Sequence, residues 1–204
     1  KEDNESNKAK VVAEVNKITG TSSKVLLGSS GLSVQYAIMM GLIDNAIEKY
    51  PNKAIKIIVP PNCYGGTNDQ ARRVAATQEN VEILDLLVDR DHDMAQSTDQ
   101  ILNRVAQEDA IPLIIAEIPT NPRVEVPNLE QLRASLSKKR KTKKDTVAVD
   151  PIFILDQTFC PNVQFCADDG ILSSIRTISY VSGSKFPSGG KCTAGYCVAN
   201  TEAA

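Results

Sequence analysis

Short apolar runs bounded by turn residues recur along the 204-residue chain: KVLLG (24–28), AIKIIVP (54–60), VEILDLLV (81–88), IPLIIAEI (111–118), TVAVDPIFIL (146–155), IRTISYV (175–181) and TAGYCVA (193–199). Each has the length of a strand, and most are apolar at consecutive rather than alternate positions, the pattern of strands covered on both faces. Between the early runs the apolar spacing changes to that of a helix. In SVQYAIMMGLIDNAIEKY (33–50), residues Tyr36, Ile38, Met39, Leu42, Ile43, Ala46 and Ile47 form one broad stripe, and TDQILNRVAQ (98–107) and NLEQLRASL (128–136) behave alike. Strand and helix alternate, so the chain predicts an α/β fold: a three-layer αβα sandwich around a seven-stranded, mostly parallel sheet with right-handed crossovers. Ligands of such sheets bind beyond the carboxyl ends of the strands, which directs attention to the loops that follow them.

Composition narrows the classes of function. A hydrophobic content of 42% is enough for one core, or at most two small ones. With 23 basic and 25 acidic residues the net charge is -2, so no global field draws nucleic acid or an acidic membrane. No apolar run approaches the roughly 20 residues of a membrane span, and the opening KEDNESNKAK is too polar for a signal peptide. The five cysteines are odd in number and form no C-x-x-C pair, which argues against a disulfide framework or structural zinc and for reduced thiols in a cytoplasmic protein. The basic run SKKRKTKKD (137–145) reads as a solvated helix end and loop, since a phosphate footprint needs a wider basic face. The one histidine, His92, lies in the charged stretch DRDHD (89–93) and reads as part of a surface loop rather than a metal ligand. Any Ser-His-Asp or Cys-His mechanism would depend on that residue, which disfavours the class.

Five loops carry candidate chemistry. GSSGLS (28–33) leaves the first strand and opens the first long helix, where free N–H groups and the dipole suit a phosphate; it matches neither the Walker pattern nor G-x-G-x-x-G. In PPNCYGGT (60–67), two glycines leave the Tyr64 ring uncovered and suited to stacking on a flat group, although a tyrosine packed over a tight turn gives the same pattern. EIPTNP (117–122) holds the Asn121 amide in a turn. DQTFCP (156–161) places Asp156 at the carboxyl end of an apolar strand, where a carboxylate could hold a proton on a ring nitrogen. Asp150 is the competitor, and Pro151 after it favours a structural role there. Finally, YVSGSKFPSGGKCTAGY (180–196) surrounds Lys185 with groups too small to cover it. An amine that condenses with an aldehyde must lose its proton in a partly desolvated site, with Ser182 and Ser184 as hydroxyl donors nearby. A phosphate cradle, an aromatic, an asparagine, a carboxylate and a lysine are the parts of a pyridoxal phosphate site.

In this order the motifs resemble those of the Cys/Met metabolism family of pyridoxal phosphate enzymes, which includes cystathionine γ-synthase, the cystathionine lyases and methionine γ-lyase. That family carries S-S-G-M, Y-G-G-T, E-T-P-[ST]-N-P, D-N-T-F and S-x-T-K-[YF]; this chain has SSGL (29–32), YGGT (64–67), EIPTNP (117–122), DQTF (156–159) and SGSKF (182–186). It departs at Leu32, Gln157, Ser184 and Gly190, the last where the family usually has a histidine. The resemblance implies a fold-type-I large domain over residues 1–204, with the family's N-terminal arm and C-terminal domain outside the chain. It implies pyridoxal 5'-phosphate as cofactor, held by Ser30, Gly31, Leu32, Ser182 and Ser184 at the phosphate. Tyr64 would stack on the ring, Asp156 would pair with its nitrogen, Thr158 would also bind the cofactor, Asn121 would lie near its hydroxyl, and Lys185 would form the aldimine; Lys185 and Tyr64 are the implied catalytic residues. The implied activity is carbon–sulfur lyase or transsulfuration chemistry on sulfur amino acids, within cysteine and methionine metabolism and amino-acid biosynthesis, by a homodimer or homotetramer. An aminotransferase on the same scaffold, or a domain that binds the cofactor without turnover, are the alternatives.

Overall fold

The computed structural model describes residues 2–89, 91–185 and 188–204. Phe186 of the SGSKF motif and Arg90 of the DRDHD stretch lie outside the described residues. All seven apolar runs contain a strand, and they form one sheet: β1 (Leu26–Gly28), β2 (Ile55–Val59), β3 (Val81–Asp85), β4 (Ile111–Glu117), β5 (Ile152–Asp156), β6 (Thr177–Ser182) and β7 (Gly195–Ala199), in the order β1-β7-β6-β5-β4-β2-β3. The pairs among β3, β2, β4, β5 and β6 are parallel, whereas β7 runs antiparallel to both β6 and β1. Every residue of β2 and β4 is buried, which is why their sequences are uniformly apolar.

Helices cover both faces. On one, α2 (Gly31–Lys49) and α3 (Gly65–Ala76) bury Ile38, Met39, Ile43 and Val74 against Ile57, Ile115 and Ile154. On the other, α4 (Met94–Gln107) and α5 (Leu129–Ser137) bury Leu102, Val105 and Leu132 against Ile58, Ile114 and Phe153. The αβα sandwich is therefore present as the alternation implies. Within the apolar stripe of α2, Tyr36 and Ile47 are exposed, so the buried face is narrower than the sequence pattern.

Three elements depart from the sequence reading. The polar opening forms a helix, α1 (Glu2–Thr19), which touches the sheet through Val12 and Val15 against Val25 and Val198; so few apolar positions leave little periodicity to read. TVAVDPIFIL is not one strand: β5 begins only at Ile152, because Pro151 has no N–H to offer a ladder, and Val147 is exposed. The glycines of YGGT open α3 rather than a loop.

The basic run is largely neutralised in place. Lys138 and Arg140 pair with Asp99, Lys139 with Asp150 and Lys141 with Asp145. His92 is exposed ahead of α4, where the Asp93 side chain caps the helix by accepting from the Gln96 N–H. All five cysteines are free thiols, and among the described residues no helix is long and apolar enough to cross a membrane.

Candidate active site

The start of α2 is built by a capping box. The Ser33 N–H donates to Ser30 Oγ and the Ser30 N–H to Ser33 Oγ, each at 3.0 Å. The amides of Gly31 and Leu32, in the first turn, have no acceptor within the helix and face outward from its positive end. Two glycines let this helix start sit against the sheet. A Cβ on Gly31 would stand 2.7 Å from Ser182 Cβ at the end of β6, and one on Gly195 of β7 would stand 2.5 Å from the Ser30 carbonyl oxygen. Ser182 and Ser184 share a hydrogen bond of 2.9 Å beside this cradle.

Tyr64 occupies the N-cap position of α3 and remains 40% exposed. A Cβ on Gly66 would lie 2.7 Å from the Tyr64 ring, so the glycine is what lets the ring settle onto the helix. The Lys185 Nζ stands 5.3 Å from the centre of that ring, within cation–π range. Lys185 is exposed rather than partly desolvated, since the residues described around it, such as Gly183 and Ser184, bring no bulk over it.

Beneath the lysine, three polar side chains form a row across adjacent strands. Asp156, the last residue of β5, pairs in register with Glu117 at the end of β4 and with Tyr180 on β6. In a parallel sheet residues in register point to the same face, here the one covered by α2 and α3. One Asp156 oxygen accepts from both the N–H and the hydroxyl of Thr158, at 2.9 and 2.6 Å, and the Thr158 hydroxyl in turn accepts from the Ser182 N–H at 3.0 Å. Burial pushes the Asp156 carboxyl above its ordinary range, opposed by the Thr158 bonds, by Tyr180 and by the Lys185 charge. Burial also pushes Glu117 up to about 7, against the N–H groups of Tyr64 and Asn121 that it accepts and with the Asp156 charge adding to the rise.

These groups line one open cleft with a cavity volume of about 120 Å³. Nine of the ten expected residues are in its wall: Ser30, Gly31, Leu32, Tyr64, Asp156, Thr158, Ser182, Ser184 and Lys185. Asn121 is not among them. It lines a smaller adjoining hollow with Pro60, Cys63 and Met94, because its main chain is tied to Glu117, whose carboxyl stands between the two spaces. The cleft also contains Gln35, Thr67, Glu117, Phe159 and Tyr180, to which the sequence reading gave no role. Thr67, Glu117 and Phe159 lie inside motifs already singled out. Gln35, with no exposed surface, is a polar residue in phase with the buried stripe of α2, and that mismatch is a legible signal. Neither atom of its amide has a partner, nor do Glu117 Oε2 and the Tyr180 hydroxyl.

No family model and no curated protein matches the chain. Solved structures do. The chain is similar to the cystathionine γ-lyase CalE6 of Micromonospora echinospora, with 16% identity and a TM-score of 0.57 over 86% of this chain and 38% of that one. A second structure, apo CalE6 described as a methionine γ-lyase, gives 17% identity and 0.60 over 91% and 42%. The metB protein of Corynebacterium glutamicum gives 19% and 0.57 over 92% and 40%. The chain thus spans about two fifths of the length of the structures it matches, and over that span it has their α/β fold.

Proposed function

We propose that the chain is the pyridoxal-phosphate-binding domain of a carbon–sulfur lyase or transsulfuration enzyme that acts on a sulfur-containing amino acid. The observation that carries this reading is the convergence of the Lys185 amine, the Tyr64 ring, the Asp156 carboxylate and the Ser182–Ser184 pair on a single cleft at the carboxyl edge of the sheet. The donor set fits the cofactor end to end. The space above Gly31, where any Cβ would strike Ser182, brings helix amides and serine hydroxyls together as a cradle for a phosphate. Three orphaned polar groups in the cleft floor suit a polar heterocycle better than an apolar ligand.

When bound, the pyridoxal group supplies an electron sink for the α-carbon of an amino acid. The chain's own residues do the rest. The Gly31 and Leu32 amides with Ser182 and Ser184 hold the phosphate, Tyr64 lies along the ring, and Asp156 holds a proton at the ring nitrogen. Lys185 Nζ, once free, removes and returns the proton at the α-carbon. Asn121 is left outside the contact set. That γ-lyases share the fold supports sulfur amino acids as the substrate class, and five free thiols support a cytoplasmic setting. We place the chain within a longer, homodimeric or homotetrameric parent, with no nucleic acid or membrane as partner.

The test is reconstitution with pyridoxal phosphate followed by borohydride. The expected result is a visible chromophore that borohydride bleaches, with the label on Lys185 by mass spectrometry and none in Lys185→Ala. An unchanged reducible chromophore in Lys185→Ala overturns the assignment.

A further inference from the structure

Asp156 stands between two side chains of different chemistry, and one of them, Tyr180, brings a donor that carries no charge of its own. On the β4 side, Glu117 is an acceptor already engaged by the Tyr64 N–H at 2.8 Å and by the Asn121 N–H. Where Glu117 is ionised, its charge opposes that on Asp156. On the β6 side, Tyr180 is 3% exposed, and its hydroxyl lies beside Asp156 and Thr67 without closing hydrogen-bond geometry to either. Both Thr158 bonds fall on one Asp156 oxygen. The other therefore lacks a fixed donor, and the row holds a donor lacking an acceptor. A small side-chain shift that brings the Tyr180 oxygen within reach of Asp156 satisfies both, and a charged acceptor wins over the neutral Thr67 hydroxyl. Thr67 then donates to the Tyr180 oxygen, which makes a relay from α3 through β6 to β5.

We propose that Tyr180 is a positioning residue: its hydroxyl donates to the free oxygen of Asp156 and, with Thr158 on the other, holds that carboxylate charged and aimed at the nitrogen edge of a ring in the cleft. The second half of this statement rests on the reading of the cleft as a pyridoxal phosphate site; the first does not. The charged and titratable groups that face Asp156 are Glu117 from β4, Tyr180 from β6, Lys185 from the turn after β6, Cys63 ahead of α3 and Cys160 after β5.

The experiment has two arms. In the first, without cofactor, the carboxyl resonances of ¹³C-aspartate-labelled chain are titrated, with Asp156 assigned through Asp156→Asn. Tyr180→Phe is expected to raise the Asp156 midpoint by about one pH unit, a tenfold change in proton affinity, and an unmoved midpoint overturns the proposal. Should Tyr180→Phe not fold, the native Tyr180 Cζ resonance is followed instead. It must shift at the Asp156 midpoint, and a flat response overturns the pairing. In the second arm, affinities are compared for pyridoxal phosphate and for its analogue with carbon in place of the ring nitrogen. The native chain is expected to prefer the nitrogen ring, and Tyr180→Phe to narrow that preference about tenfold; equal preference in the two proteins overturns the aiming role. If the native chain forms no reducible adduct while the Asp156 midpoint still follows Tyr180, the cofactor reading falls and the Tyr180–Asp156 pairing is supported.

Discussion

The backbone N–H of Tyr64 donates to the Glu117 carboxylate at 2.8 Å, a bond that joins positions 53 residues apart. The same carboxylate accepts from the Asn121 N–H. One side chain at the end of β4 thus fixes both the loop that presents the aromatic ring and the turn that follows the strand. Its acceptor function is separable from its charge. Glu117→Gln keeps a carbonyl oxygen for both donors and is expected to leave the urea midpoint near that of the native chain in mild acid, where Glu117 holds its proton. Glu117→Ala removes the acceptor and should cost roughly 1–3 kcal/mol, read by urea unfolding.

The raised Glu117 value has a definite sign. The folded state keeps a proton on Glu117 up to about pH 7, whereas the unfolded chain releases it in the ordinary carboxylate range. The folded state binds more protons in that window, so stability falls as pH rises from about 4.5 to about 7, by on the order of 1–3 kcal/mol from this group. Asp156 acts in the same direction. Urea midpoints measured across this range should therefore decline with pH in the native chain and decline less in Glu117→Gln; equal slopes would remove Glu117 as the source.

Asp99 has the opposite sign. Burial raises it, but Lys138 and Arg140 more than reverse this and hold the carboxyl below its ordinary range. Its contribution is present above the unfolded value and is lost as pH falls through the folded one, below about pH 4. Arg140 is the more buried partner, with 7% of its side chain exposed. Asp99→Asn leaves that guanidinium with Asn103 and the Ser135 and Lys138 carbonyls, and is expected to cost roughly 1–3 kcal/mol at pH 7. The loss should vanish in acid, as calorimetry at two pH values would show.

Gly31 tests the phosphate cradle. An alanine there forces its methyl to within 2.7 Å of Ser182 Cβ and 3.0 Å of Ser182 Cα, and the latter, being backbone, cannot turn aside. Gly31→Ala should lower stability by about 1–3 kcal/mol and weaken pyridoxal phosphate more than pyridoxal, the form without phosphate. Equal loss for both would place the phosphate elsewhere.

Much of this was legible in the chain for a simple reason: β2, β4 and β5 are buried on both faces, so their apolar runs carry the signal without help from context. The direction of β7 was not. It follows from the short connection between Ser182 and Gly195, which contains no described helix, so the chain returns antiparallel beside β6. In the site, nine residues fall together because their motifs follow β1, β2, β5 and β6, strands that all point the same way across the sheet, so the loops after them gather at one edge. Asn121 does not, since its turn is held by a carboxylate whose partners are set by tertiary contact. Tyr180 escaped notice because a tyrosine in an apolar strand run looks like core; only its register with Asp156 gives it a role.

The position of β7 bears on how the chain comes off the ribosome. Among the described residues, β1 has no ladder partner other than β7, with Leu26 opposite Cys197 and Gly28 opposite Gly195. The strand that leads into the proposed phosphate cradle precedes the other six in the chain and must wait, unpaired, for the strand that follows them all; such distant pairing is slow to form. Until then both β1 and β6 present open edges. The cleft is thus assembled in the closing step of folding, and a nascent chain cannot hold its ligand until nearly all of the sheet has emerged.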